Sequence, residues 1–277
     1  MSKIPVTVLV PIKNEALNLK KCLPLLQDFD QLLILDSQST DDSLAIAEEH
    51  GAEIHQFHWN GKFPKKRNWA LRNLEIRNEW VLFLDADEYV TPEFLKELQQ
   101  VIQNSTYSGY WIKFRNYFMG KQMKHGDPFK KLPLFKFGTG EYEKIDEDTW
   151  SHLDMEVHEH PIIDGKVGYI NAPILHKDYK GLEHYIARHN SYSSWEANRF
   201  LKLKRDGLTN LTSRQKIKYK LLQWGIMPSV YFVGNFILRG GFLDGRKGYY
   251  FNKYKSGYFF QIQTKIEELT SQNDTKQ

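Results

Sequence analysis

The sequence predicts an α/β protein: a mainly parallel, doubly wound sheet, followed by a helical, basic and aromatic carboxyl-terminal region. Three observations carry this. Apolar runs rich in β-branched residues alternate with helical patterns through roughly the first hundred residues. Two of those runs end in an aspartate, Asp36 and Asp85. From residue 200 to 260, twelve Lys or Arg stand against two Asp; the chain as a whole carries +4, so residues 1–199 are net negative. An acidic front and a basic back suggest two different tasks.

The elements follow in order. Residues 6–12 form an apolar run that reads as a buried strand ending at Pro11-Ile12-Lys13-Asn14-Glu15. Leu17, Leu19, Cys22, Leu23, Leu25 and Leu26 then mark one helical face. Residues 32–35 are a second strand ending in Asp36, and Ser39-Thr40-Asp41 offers capping side chains to the next helix. Residues 54–57 make a weaker third strand, 67–74 a helix, and 80–84 a fourth buried strand ending at Asp85. A helix opens at Pro92, where proline suits the first turn, and runs to about Ile102. Shorter strands are expected at 109–114, 132–137 and 167–170, and a helix over 182–206. This divides the chain into a domain over 1–205, with halves 1–105 and 106–205, and an appendage over 206–277.

Composition excludes several classes. A chain of 277 residues can bury a core without staples. The single cysteine, Cys22, excludes an intramolecular disulfide framework and any Cys-cluster metal site. Ten prolines and eighteen glycines exclude collagen-like and low-complexity classes. No apolar h-region with a cleavage site opens the chain, so the expectation is a reducing cytoplasm.

Four groups of residues could carry chemistry. In Leu84-Asp85-Ala86-Asp87-Glu88, two carboxylates leave a buried strand one residue apart, and extended backbone would point both to one side. Such a pair can hold a hard divalent cation, Mg²⁺ or Mn²⁺, beside a phosphate. Pro11–Glu15 leaves the first strand without the glycines of a dinucleotide fold or P-loop. Asp36, followed by Ser39 and Asp41, can accept hydrogen bonds from a base or ribose. Lys65-Lys66-Arg67 sets basic groups at a helix start. Ligands of such sheets lie outside the strands' carboxyl ends, where three of these groups stand.

Together, and in this order over residues 4–90, the four groups resemble the inverting nucleotide-sugar glycosyltransferases of family 2, which have the GT-A fold. The resemblance implies that Pro11, Lys13, Asn14, Glu15, Asp36 and Ser39 contact the nucleoside. It implies that Arg67, Asp85 and Ala86 help hold the nucleotide, and that Asp87 is a direct metal ligand. Met155-Glu156-Val157-His158-Glu159, Leu175-His176 and His189-Asn190-Ser191-Tyr192 are similar to the subgroup that builds lipopolysaccharide core and surface polysaccharides. Many members carry a Glu-Asp pair with Asp as base. This chain has His158-Glu159, which places Glu159 at the base position with Glu156 as its competitor, and His176 as a further metal ligand. The implied reaction is a metal-dependent hexosyl transfer from a nucleotide sugar, UDP-linked by preference, to a saccharide or glycolipid acceptor. The alternatives are a nucleotidyltransferase of similar sheet and a non-catalytic homologue that holds nucleotide or lipid.

Residues 219–260 hold thirteen aromatics interleaved with Lys and Arg. Residues 221–238 are uncharged, but Gln223, Pro228, Ser229 and Asn235 weaken a bilayer-spanning helix. Helical segments lying at an anionic membrane surface fit this composition, which implies a peripheral location on the inner face of the cytoplasmic membrane. No RNP, KH or zinc-finger pattern accompanies the patch, so nucleic acid is not an expected partner.

Overall fold

The computed structural model describes residues 3–126, 128–145, 150–151, 153–154, 160–207, 211 and 213–274. Glu156 and Glu159, the two residues expected to compete for the base position, lie outside the described residues. The chain divides into two compact units, one of Met1–Tyr117 with Pro128–Lys180, the other of Phe118–Asp127 with Gly181–Gln277.

The first unit opens with β1 (Ile4–Ile12), α1 (Ala16–Cys22), β2 (Phe29–Asp36), α2 (Ser43–Glu49), β3 (Glu53–Gln56), α3 (Lys66–Asn73) and β4 (Trp80–Phe83). It continues through β5 (Glu88–Tyr89), α4 (Pro92–Ile102) and β6 (Gly109–Phe118). After the two-residue β7 (Lys121–Gln122) come β8 (Phe129–Lys136), β9 (Gly140–Tyr142), β10 (Pro161–Ile163) and β11 (Val167–His176). The main sheet runs β3-β2-β1-β4-β8-β6-β11-β5. Strands β3, β2, β1 and β4 are mutually parallel, while β8 pairs antiparallel with both β4 and β6.

The apolar runs become strands because both faces are covered. Val6, Val8 and Val10 of β1 pack with Leu19, Cys22, Phe94 and Leu98 of the helices on one side. Leu9, Leu33, Leu35, Val81 and Phe83 pack with Ala70 and Leu71 of α3 on the other. Edge strand β3 is only partly covered, in keeping with its weaker apolar pattern. Thr91 caps α4, its Oγ1 accepting from Phe94 N at 3.1 Å, with Pro92 in the first turn.

The second unit is helical: α5 (Gly181–Arg205), α6 (Ser213–Gln223), α7 (Met227–Phe232) and α8 (Gly245–Asp274). Phe200 of α5, Tyr219 and Leu222 of α6, and Tyr258 and Ile262 of α8 form its buried core. The sequence sets a boundary after residue 205, whereas contacts group α5 with the helices that follow it. Gly225 and Pro228 break the uncharged 221–238 run into α6 and α7, and no helix among the described residues is long and apolar enough to cross a membrane.

Candidate active site at the sheet's carboxyl edge

The exits of β1 and β2 are stapled together. Asn14 takes a left-handed conformation, φ 54°, which Asn tolerates better than most residues. Its backbone N–H donates to Ser39 Oγ at 2.8 Å, and its Oδ1 accepts from Thr40 N at 2.7 Å. Asp36 is fully buried and accepts from Ser39 N at 3.0 and 3.2 Å, from Ser39 Oγ, and from Gln56 Nε2 at 3.0 Å. Its carboxylate thus organises the β2 loop from within. Glu15 N donates to Ser43 Oγ and Ala16 N to Asp41 Oδ2, at 2.8 and 3.1 Å.

Helix α3 begins with three buried cations, Lys65, Lys66 and Arg67. Cations at a helix amino terminus oppose its dipole, and burial adds a desolvation cost. Specific acceptors offset both. Lys66 Nζ donates to Ile12 O at 2.9 Å and lies 3.4 Å from Asp154. Burial pulls the Lys66 ammonium below its ordinary range, against the opposing pull of Asp154. Arg67 Nη2 meets Asp85 Oδ1 at 2.6 Å, and its guanidinium lies over the Tyr142 ring.

The acid pair departs from the sequence expectation in one respect. β4 ends at Phe83, and residues 85–88 form a turn closed by Glu88 N donating to Asp85 O at 2.9 Å. Strand alternation therefore does not govern Asp85 and Asp87, and the two carboxylates serve different partners. Asp85 accepts from Lys131 Nζ of β8 at 2.7 Å as well as from Arg67. Burial favours its neutral form, but Lys131 and Arg67 outweigh this and hold the carboxyl well below its usual range. Lys131 also reaches Glu88 Oε1 at 2.5 Å, while burial pushes the Glu88 carboxyl above its usual range.

Asp87 turns instead to His176. In the sheet register His176 at the end of β11 lies beside Asn116 on β6 and Glu88 on β5. Its Nδ1 is 3.0 Å from Asn116 Oδ1, and its Nε2 is 3.2 Å from Asp87 Oδ2. Burial disfavours the imidazolium, yet Asp87 more than offsets this and raises the His176 pKa. Both ring nitrogens face oxygen acceptors, the arrangement of an imidazolium that donates to each. Were a cation to take the place of the Nε2 proton, Asn116 Oδ1 would hold the remaining proton on Nδ1, which suits a metal-ligating imidazole. Among the described residues no group of three or more His, Cys, Asp or Glu is arranged to hold a metal. Mg²⁺ prefers oxygen ligands alone, so a carboxylate and an imidazole completed by phosphate oxygens and water fit a softer divalent cation such as Mn²⁺ better.

Residues beyond β11 return to the β1 exit. Asn18, fully buried on α1, donates to Glu15 Oε2 at 2.8 Å and to Asp178 Oδ1 at 3.1 Å, and accepts from Tyr179 N at 2.9 Å. Lys180 Nζ pairs with Glu15 Oε1 at 2.5 Å. Burial raises the Glu15 carboxyl pKa, partly countered by Lys180.

The structure thus gathers Pro11–Glu15, Asp36 and Ser39 through the loop staples, and Arg67, Asp85, Ala86, Asp87 and His176 around the β4 turn. Sequence reasoning passed over Lys131, Asn116, Asn18 and Lys180. Only Asn18 left a local signal: it sits one helical turn before Cys22, on the stripe that Leu19 and Cys22 bury.

Comparisons with known proteins give the family. A family model described as "Glycosyl transferase family 2" matches residues 7–153. The chain belongs to glycosyl transferase family 2 and is a glycosyltransferase. It is 26% identical over 213 residues to an uncharacterized glycosyltransferase of Rickettsia felis, covering 73% of this chain and 71% of that one. It is 25% identical over 256 residues to the lipopolysaccharide core biosynthesis glycosyltransferase LpsC of Rhizobium meliloti, covering 89% and 86%. The mannosyltransferase PcManGT of Pyrobaculum calidifontis, solved with GDP-Man and Mn²⁺, matches with TM-score 0.52 and 16% identity over 95% of this chain and 87% of that one. This likeness places the chain in the GT-A fold. Family membership displaces the nucleotidyltransferase alternative.

Proposed function

We propose that the chain is a metal-dependent, inverting hexosyltransferase. It would move a sugar from a nucleotide donor, UDP-linked by preference, to a lipopolysaccharide-core or lipid-linked saccharide. The convergence of Asp87 Oδ2 and His176 Nε2 beside the stapled β1 and β2 loops carries this reading. The named activity of the Rhizobium relative supports the acceptor class, and the GDP-Man and Mn²⁺ of the Pyrobaculum enzyme support the donor class and the cation.

In this reading Pro11, Lys13, Asn14, Glu15, Asp36 and Ser39 border the nucleoside, with Asp36 acting through the loop it organises. Arg67 and Asp85, with Ala86 between the acids, shape the diphosphate side. Asp87 and His176 would hold Mg²⁺ or Mn²⁺, which when bound would supply positive charge to the leaving diphosphate. The acceptor hydroxyl oxygen attacks the anomeric carbon in line while the bond to the β-phosphate oxygen breaks. Glu159, with Glu156 as the alternative, receives the hydroxyl proton, and nucleoside diphosphate leaves with inversion at carbon. A lipid-linked acceptor puts the enzyme at the cytoplasmic face of an anionic membrane, so the second unit is assigned to peripheral contact there and not to nucleic acid.

A panel of UDP- and GDP-sugars, each with and without Mn²⁺, tests the donor reading by thermal shift and by release of nucleoside diphosphate. One or two donors should stabilise the chain in proportion to ligand concentration and release diphosphate only with the metal. No stabilisation by any nucleotide sugar would contradict the proposal.

A further inference from the structure

We propose that the turn over residues 237–243 is a preformed lipid-inserting edge that docks the second unit onto an anionic bilayer. The inference rests on the membrane reading above and assigns it to particular side chains. Four large apolar residues crowd this short segment and remain open to solvent: Leu238 is 80% exposed, Leu243 60%, Ile237 52% and Phe242 51%. Single exposed apolar residues are ordinary, whereas a cluster of this kind marks a contact surface.

The turn is fastened by close backbone packing and by the buried Asp244. Residues 233–238 form a wide π-type helical turn, and a tight 3₁₀ turn over 241–244 follows. Gly241 and Gly248 allow their close approach. A Cβ on Gly241 would lie 2.8 Å from Asn235 O, and one on Gly248 would lie 2.4 Å from Gly241 O. Asp244 is buried, and its Oδ2 accepts from Lys124 N and His125 N, each at 3.0 Å, with His125 Nδ1 3.1 Å from Oδ1. Lys121 Nζ donates to the Asp244 carbonyl at 2.6 Å. A turn fastened so closely presents Phe242 and Leu243 outward without further ordering, which lowers the entropic cost of docking.

Charge selects the partner. Between Trp224 and Tyr258 the ionised residues are Arg239, Asp244, Arg246, Lys247, Lys253 and Lys255. Asp244, the one acid, is turned inward, so the charge accessible around the apolar edge is cationic. Beside it Phe232, Phe236, Phe242 and Tyr249 form a ring cluster, with Phe236 centroids 5.0, 6.4 and 5.7 Å from the other three. Apolar side chains at the tip, aromatics behind them and cations around them match the depth profile of an anionic lipid interface. A second copy of the chain would bring like charges together.

The test uses the full chain. Cys22 is fully buried, so a thiol-reactive NBD probe would label an introduced cysteine. Leu243→Cys carries the probe at the edge; Thr264→Cys carries it on α8, roughly 28 Å along the helix axis from its first residue, Gly245. With phosphatidylcholine vesicles containing about one-third phosphatidylglycerol, in the lipid range that tests charge attraction, the Leu243→Cys probe should brighten and be quenched by acyl-chain nitroxides. The Thr264→Cys probe should not. In flotation, Leu238→Ser/Phe242→Ser/Leu243→Ser should lose about tenfold or more of its vesicle binding while metal-dependent release of nucleoside diphosphate is unchanged. Flotation of the parent chain with an unquenched Leu243→Cys probe would overturn this edge while leaving membrane contact intact. No flotation at all would overturn both. A dimer that the triple substitution dissociates would make the edge an interface between copies and would overturn the lipid assignment.

Discussion

Lys131 is the residue whose removal should reveal how the acid turn is held. Its ammonium lies 2.7 Å from Asp85 Oδ2 and 2.5 Å from Glu88 Oε1, and Glu88 is almost fully buried. Lys131→Met keeps the apolar stem and deletes the charge. Breaking a buried ion pair costs about 3–5 kcal/mol. The Lys131 side chain is 31% exposed, so water screens part of the interaction and the expected loss falls to about 1–3 kcal/mol. For a unit of this size that is a drop in Tm of roughly 3–10 °C.

The loss should depend on pH with a definite sign. The folded Glu88 carboxyl titrates above its ordinary value because it is buried, with Lys131 pulling it back. Without Lys131 it rises further, and a raised carboxyl costs stability increasingly as pH climbs through the interval between its unfolded and folded values. Asp85 is the reverse case. Its folded carboxyl lies below the ordinary value of 3.8, so its contribution is present above that value and lost on acidification. Removing Lys131 shrinks that contribution at neutral pH. The Asp85 part of the deficit is present at both pH 5 and pH 8. The Glu88 part grows between them, because the folded Glu88 carboxyl titrates at about 6 or above. The deficit is therefore larger at pH 8. Thermal unfolding followed by circular dichroism at the two pH values measures it. Lys130→Met, whose ammonium lies over the Trp111 and Tyr169 rings, is the control and should cost under about 1 kcal/mol. Equal losses in the two variants, or a Lys131 deficit that disappears at pH 8, would refute the reasoning.

Asp87→Ala should abolish Mn²⁺-dependent nucleotide binding and transfer, with calorimetric titration of nucleoside diphosphate as the measurement; undiminished metal dependence would remove Asp87 from the cation site. Glu159→Gln should leave donor binding intact and lower turnover by about 10² or more, the size expected of a general base. If Glu156→Gln does this instead, the base is Glu156. Gly248→Ala should lower the Tm of the second unit by several degrees, because its Cβ would collide with backbone at 2.4 Å. An unchanged transition there would show that the 241–248 contact is loose.

The sequence was most legible where burial dictates composition. β1, β2 and β4 are covered on both faces and read as continuous apolar runs, so their ends fell within a few residues of those observed. β6 and β11 extend to Phe118 and His176, several residues beyond the apolar patterns at 109–114 and 167–170. Their later halves carry Arg115, Asn116 and Asn171, and β11 shifts register around Pro173, which obscures alternation. Asp36, Arg67, Asp85 and Asp87 were visible because each stands at the end of a strand or the start of a helix. Their partners were not. Lys131 meets Asp85 across 46 positions and His176 meets Asp87 across 89, distances over which only the strand order brings side chains together. The different orientations of Asp85 and Asp87 were hidden for a related reason: the strand stops at Phe83, and a turn, not a pleat, aims them.

A crystal structure of the chain with a nucleotide sugar and Mn²⁺ tests the central claim most directly. The account predicts a cation about 2.1 Å from an Asp87 oxygen, with His176 Nε2 in its coordination shell and the diphosphate reaching it from the side of the β1 and β2 loops. A donor bound elsewhere on the molecule, or a cation that leaves Asp87 and His176 paired only with each other, would contradict it.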